Sequence, residues 1–293
     1  MLQVARLAPN LLLEVDGSQA ASHPVVAFLH GQLNEDGGAK DRSGQSDLYY
    51  TVFALEGLVA MRTDPPVDLV RPYLQGFGDG RDLDIIHLTC LARCWATMPS
   101  GTLDGNIGGR ILKRIESFRS ADGGYAATPN AETGTVYHCF LALGAYQDLH
   151  ATLPNPSGVG RCVQSLQTDD GAFANEQSLK IGTTPATAAA VTLGRHLDMA
   201  IPDSVDNWLL ERCHPQGGFL AMPEAPMPDL LSTATALHAL SGRHVSIEPV
   251  KEKCLDFLDS LWTGTGFCGY WADDVVDCEY TYYALLALGH LSL

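Results

Sequence analysis

The sequence predicts an all-α chain whose helices pair into six repeats closed as an α6/α6 toroid, with an inner and an outer helical ring. Three observations predict it. A glycine-aromatic step recurs at positions 39, 77, 125, 173, 219 and 267, separated by 38, 48, 48, 46 and 48 residues. Position 39 carries Ala in the aromatic slot, and Ala172-Phe173 replaces the Gly-aromatic pair in the fourth copy. A one-sided apolar stretch precedes each step and a stretch apolar almost all round follows it. Finally, the closing segment Thr281–Leu288 is among the most apolar in the chain, where an open solenoid would need a polar cap.

Each repeat has the same internal order. Ile111, Leu112, Ile115 and Phe118 stand at helical spacing before the third step, with Lys113, Arg114 and Glu116 on the other side. Val159, Cys162, Val163 and Leu166 do the same before the fourth. These are outer helices with one buried face. Runs such as 51–61, 139–145 and 281–288 lack a polar face, which assigns them to the inner ring. No run sustains the two-residue alternation of a strand. The repeats fall at roughly 22–62, 65–98, 107–149, 157–199, 203–243 and 247–293, in one toroid domain over 1–293.

Charge and composition remove several functions. The 293 residues hold 18 Lys and Arg against 34 Asp and Glu, a net charge of −16 that repels phosphate backbones and anionic lipid. Nucleic acid is therefore not an expected partner. The longest uncharged apolar stretch, 280–293, has 14 residues, short of the ~20 that span a bilayer. Leu11–Leu13, bounded by Glu14 and Asp16, is too short for a secretory core. Eight cysteines without a C-x-x-C pair point to reduced thiols and a cytoplasmic location.

The repeat resembles that of the prenyltransferase and squalene-cyclase family, and two segments resemble the β subunits of protein prenyltransferases. Gly37–Thr51 is similar to that family's Gly-Gly…Asp-x-Pro-Gly…Asp-Phe-Tyr-His-Thr stretch, and Val275–Tyr280 to its Leu-Val-Asp-Gly-Cys-Tyr stretch. The resemblance implies an isoprenoid in the lumen, a helical-repeat partner like the α subunit, and a zinc ion held by Asp, Cys and His. Here Asp277 matches the Asp, Glu279 stands in the Cys slot with Cys278 one residue early, and Tyr50 stands in the His slot. Asp277 and Tyr50 thus hold the positions the resemblance marks as catalytic, and Asp277 and Glu279 stand at positions it marks for metal, with the displaced Cys278 and His138 as further metal candidates. The segments belong to the last and first repeats, which a closed ring makes neighbours. The family's diphosphate-binding Arg and Lys have no counterpart in Tyr270–Asp277, where Asp273 and Asp274 would repel a diphosphate.

Other residues support the same lumen. Tyr49, Tyr50, Phe53, Tyr280, Tyr283 and Trp271 lie at inner-helix starts or on rim loops, and are expected to wall a site for a hydrophobic small molecule or peptide with a polar end. Arg81–His87 resembles the Asp-x-Asp-Asp acid motif of class II terpene cyclases with Ile85 replacing the last Asp, although such cyclases usually pair two toroids. A different class of function is a non-catalytic toroid that binds a protein or ligand through its rim loops.

Overall fold

The computed structural model describes residues 1–16, 23–103 and 105–293. The expected start of the first repeat at residue 22 lies outside the described residues. Two short helices, α1 (Leu2–Ala5) and α2 (Ala8–Asp16), precede the repeats. Six outer helices follow: α3 (Pro24–Gly31), α5 (Val67–Gly76), α7 (Gly105–Glu116), α9 (Pro156–Gln164), α11 (Ser204–Leu210) and α13 (Glu248–Leu261). They alternate with six inner helices: α4 (Leu48–Ala60), α6 (Ile85–Thr97), α8 (Val136–Asp148), α10 (Thr184–Leu197), α12 (Leu230–Gly242) and α14 (Cys278–Leu291). The inner helices pack in order from α4 to α14, and α14 returns to pack on α4. Each outer helix lies against the inner helix of its own repeat. A two-residue hairpin, β1 (Ala39–Lys40) with β2 (Ser46–Asp47), is the paired sheet among the described residues.

Two devices recur around the ring. Every inner helix opens on a side-chain cap, supplied in turn by Asp47, Asp84, Thr135, Thr183, Asp229 and Asp277. Each accepts a hydrogen bond from a backbone N–H in the first turn, an interaction typically worth about 1 kcal/mol. The second device explains the sequence repeat. The backbone N–H of the aromatic slot donates to a side chain in the first turn of the inner helix. Ala39, Phe173, Phe219 and Phe267 donate to the hydroxyls of Thr51, Thr187, Thr233 and Thr281 at 2.8–3.2 Å. Tyr125 donates to Cys139 Sγ at 3.4 Å. A buried N–H is thereby satisfied and the loop is pinned to the helix.

The glycine before the slot is required twice over. Gly217 has φ +94°, and a Cβ there would lie 1.9 Å from the Lys253 carbonyl oxygen on α13. Gly37 has φ +94° and would press 2.2 Å onto the Leu69 carbonyl oxygen of α5. In these two copies the turn touches the outer helix of the next repeat, which only glycine permits. The second copy departs from the pattern. Gly76 ends α5 and Phe77 continues in right-handed helical conformation, so its turn shifts onto Gly78 and Gly80, both with positive φ.

Thr233 is fully buried and also donates to the Asp229 carbonyl at 2.7 Å. Thr233→Val keeps the shape and orphans the Phe219 N–H, so it should destabilise the fold by about 1–3 kcal/mol. Thr192→Val, which loses only a bond to the preceding helical turn, should cost well under half of that. Urea denaturation of the two variants checks the difference.

Candidate functional site

The inner ring encloses a lumen to which all six inner helices contribute. Its upper chamber, about 270 Å³, is walled by Tyr49 and Phe53 of α4, Tyr137, Phe140 and Leu141 of α8, and Pro185, Ala188 and Ala189 of α10. Leu231 and Thr235 of α12 and Tyr282 and Tyr283 of α14 also line it, and Met1, Thr192 and His238 border its lower part. The aromatics lock one another. Phe53 lies 4.9 Å from Tyr49 at 74°, and 5.5 Å and 5.7 Å from Tyr283 and Tyr282. Such edge and tilted contacts fix the ring positions and leave an apolar wall.

Arg93 of α6 forms the floor. It donates through Nε and Nη2 to the two carboxylate oxygens of Glu56 at 3.1 and 2.7 Å, and its guanidinium sits 5.8 Å from the Phe53 ring centre. A bidentate pair compensates part of the desolvation both ions pay. Below it lies a second chamber of about 510 Å³, bordered by Thr97, Gln147, Asp148, Arg195 and His196 near the C-terminal ends of their helices. Burial pushes the Asp148 carboxyl up to about 6. His238 bounds both chambers and lies 3.0 Å from His290, ring nitrogen to ring nitrogen. Burial holds the two imidazoles down at about 2 and about 4, so the pair is neutral at pH 7. The lumen is thus aromatic above and polar below.

At the upper rim, the seam between last and first repeats is stitched by polar contacts. Tyr49 Oη donates to Glu279 Oε1 at 2.6 Å. Arg42 donates through Nε to Asp277 and through Nη2 to Asp273, both at 3.0 Å, with its guanidinium 5.5 Å over the Tyr280 ring. Burial pushes the Glu279 carboxyl up to about 7 and raises Asp277 as well, against the opposing pull of Arg42. Beside the seam opens a vestibule of about 400 Å³ that shares Tyr49 and Tyr137 with the lumen. There His87 donates to Asp84 at 2.8 Å and faces Asp47 at 3.4 Å, and these two carboxylates hold its imidazole up at about 9.

The prenyltransferase alpha-alpha toroid domain family matches residues 20–90, 102–193 and 186–292. The chain belongs to that family. No curated protein matches the chain in sequence. Among solved structures, Candida albicans protein geranylgeranyltransferase-I complexed with GGPP is similar at TM-score 0.64 and 13% identity, over 89% of this chain and 88% of that one. Type II terpene cyclase MstE from Scytonema is similar at TM-score 0.62 and 14% identity, over 92% and 96%. A variant of MstE in complex with merosterolic acid A matches at TM-score 0.60 and 15% identity, over 99% and 96%. At these identities the likeness shows the fold.

The prenyltransferase toroid family brings zinc into question, and the residues present do not fit it. Asp277 gives Oδ1 to the Tyr280 N–H as the cap of α14 and Oδ2 to Arg42. Cys278 is fully buried and its thiol is pushed up by that burial. Glu279 is held by Tyr49, and Tyr50 offers a neutral phenol, a poor ligand. His138 is buried and bonded through Nδ1 to the Thr135 hydroxyl at 2.8 Å. No three His, Cys, Asp or Glu side chains converge among the described residues.

Of the expected ligand-binding set, the lumen receives Tyr49, Phe53 and Tyr283, and the vestibule receives Tyr50. Tyr280 instead packs flat on Gly269 beneath Arg42. Trp271 lies on the outer rim, 40% exposed, against Phe257 and His214. The stretch before Asp277 has no base of its own, yet the rim is not devoid of cations: Arg42 arrives from the first repeat. Arg93, Glu56 and Arg42 were missed by sequence reasoning. The signal for the first two was a lone carboxylate in one apolar run and a lone base in the next.

With Arg42 seated on Asp277, added zinc should leave the melting temperature of the protein unchanged. A zinc-dependent rise that disappears in Asp277→Ala would contradict this description of the seam.

Proposed function

We propose that the toroid binds an isoprenoid or similar apolar chain in its upper chamber, with the polar end of the ligand at the seam. The observation that carries this reading is the chamber itself, a preformed aromatic and aliphatic cavity whose wall residue Tyr49 is bonded to the polar seam. Burying a few hundred Å² of apolar chain at roughly 25 cal/mol per Å² gives enough free energy for micromolar binding after the costs of association. The similarity to the fold of a geranylgeranyltransferase complexed with GGPP and to type II terpene cyclases agrees with such a ligand. The misfit to zinc argues against diphosphate-dependent prenyl transfer by that family's route.

Geranylgeraniol should bind with a dissociation constant in the micromolar range or below, read from quenching of tyrosine fluorescence or from calorimetry. Ala188→Trp fills the chamber and should weaken binding at least tenfold with the fold intact. Equal affinity in that variant would move the ligand elsewhere.

One observation favours a second reading, proton-initiated cyclisation. Such chemistry needs a neutral carboxylic acid beside an apolar substrate. Glu279 is buried, pushed up to about 7, and bonded to Tyr49 of the chamber wall. Its neutral form donates the proton, so turnover of a geranylgeranyl-bearing substrate should fall as pH rises through about 7. Glu279→Gln should abolish it. Product formation that persists in Glu279→Gln, or a rate that rises with pH, would rule out this acid.

A further inference from the structure

The vestibule beside the seam has the composition of a site for a cation. Two tyrosines form a corner: the rings of Tyr49 and Tyr50 lie 5.6 Å apart at 79°. Tyr137 of α8 adds a third wall, and Asp41, Asp47 and His87 border the same cavity, the His87 charge being offset by Asp47 and by Asp84 behind it. Asp41 accepts from the Ser43 N–H and hydroxyl and from the Gln45 N–H at 2.7–2.9 Å, which holds it below the ordinary carboxylate range. Asp47 is likewise held down, by His87. Both are therefore ionised at neutral pH. Among the described residues, the ion pairs of Asp47, Asp84, Asp273 and Asp277 at the mouth are made by Arg42 and His87, each engaged by two of these carboxylates. A negative field with aromatic walls attracts an ammonium group and repels a phosphate.

We infer that the vestibule takes the cationic head of the ligand, a protonated amine or quaternary ammonium, while the attached apolar chain occupies the lumen. The inference rests on the proposed lumen reading and deepens it. One ligand could serve both, since Tyr49 and Tyr137 line the vestibule and the lumen alike. An anionic head in the same place would meet the carboxylates without a free base to receive it. Ring faces, rather than charge alone, supply the discrimination, because a cation over the face of a tyrosine ring is attracted by the ring's quadrupole and a neutral hydroxyl is not.

Three probes with one chain test this: geranylgeranylamine, geranylgeraniol and geranylgeranyl diphosphate, each titrated into the full-length protein at neutral pH and physiological salt. The amine should bind about tenfold tighter than the alcohol, and the diphosphate weaker than either. Tyr50→Leu should erase most of the preference for the amine, and Tyr50→Phe, which keeps the ring, should retain it. Far-ultraviolet circular dichroism confirms that both variants are folded. Alcohol and amine binding equally would overturn the cation site and leave the lumen reading standing. A preference that survives Tyr50→Leu would reduce the site to bulk charge and overturn the cage. Binding of none of the three would remove the lumen reading as well.

Discussion

Closure of the inner ring is the constraint on which the rest of the structure depends. Inner helices without a polar face are tolerable only if each has an inner neighbour on both sides, and α14 meets this need by packing on α4. The seam so formed is reinforced at its upper end by Arg42 on Asp273 and Asp277 and by Tyr49 on Glu279. These bonds join residues more than two hundred positions apart, so the ends of the repeat array are held by polar chemistry as well as by packing. At the other end, α1 lies against both seam helices, and a Cβ on Gly289 would strike the Val4 carbonyl oxygen at 2.1 Å. The same closure creates the lumen.

The lumen has a polarity gradient that follows from where charge can be compensated. Glu56 and Arg93 meet across neighbouring inner helices and satisfy each other with two hydrogen bonds, which permits ions in the middle of an otherwise apolar ring. Above them the wall is mostly apolar, aromatic or small hydroxyl side chains, with Met1 and the neutral His238 at its lower edge, and below them the second chamber is bordered by Asp148, Arg195 and His196. An amphiphile entering from the rim meets aromatic surface first and an ion pair last. In the proposed reading its chain would run down to Met1 and Arg93, with its head at the acidic mouth.

The architecture was legible because the repeat is a backbone requirement. The glycine turn, the aromatic slot and the first-turn threonine serve one hydrogen-bonded corner, and they recur wherever that corner recurs. The second copy, which builds its turn on Gly78 and Gly80, was correctly counted and locally misplaced, since Gly76-Phe77 reads like the others until its helical backbone is known. The site was less legible. Tyr49, Phe53 and Tyr283 could be placed because inner-helix aromatics have few directions to face. Trp271 and Tyr280 could not, because loop and rim side chains are placed by partners such as Phe257, Gly269 and Arg42 that no local pattern discloses. Asp277 carries two meanings in sequence, ligand and helix cap. The equivalent caps at Asp47, Asp84 and Asp229 show how fully the second accounts for it.

The central claim is that an apolar chain lies inside the ring, and covalent mapping tests it most directly. A geranylgeraniol analogue with a diazirine at the end of its chain, photolysed on the protein and located by peptide mass spectrometry, reports the depth that the chain reaches. The account predicts labels on inner-helix residues of the upper chamber, among them Phe140, Ala189 and Leu231, and protection of those positions by unlabelled geranylgeraniol. Labels confined to the outer helices, or to the surface groove around Leu255 and Trp262, would contradict it.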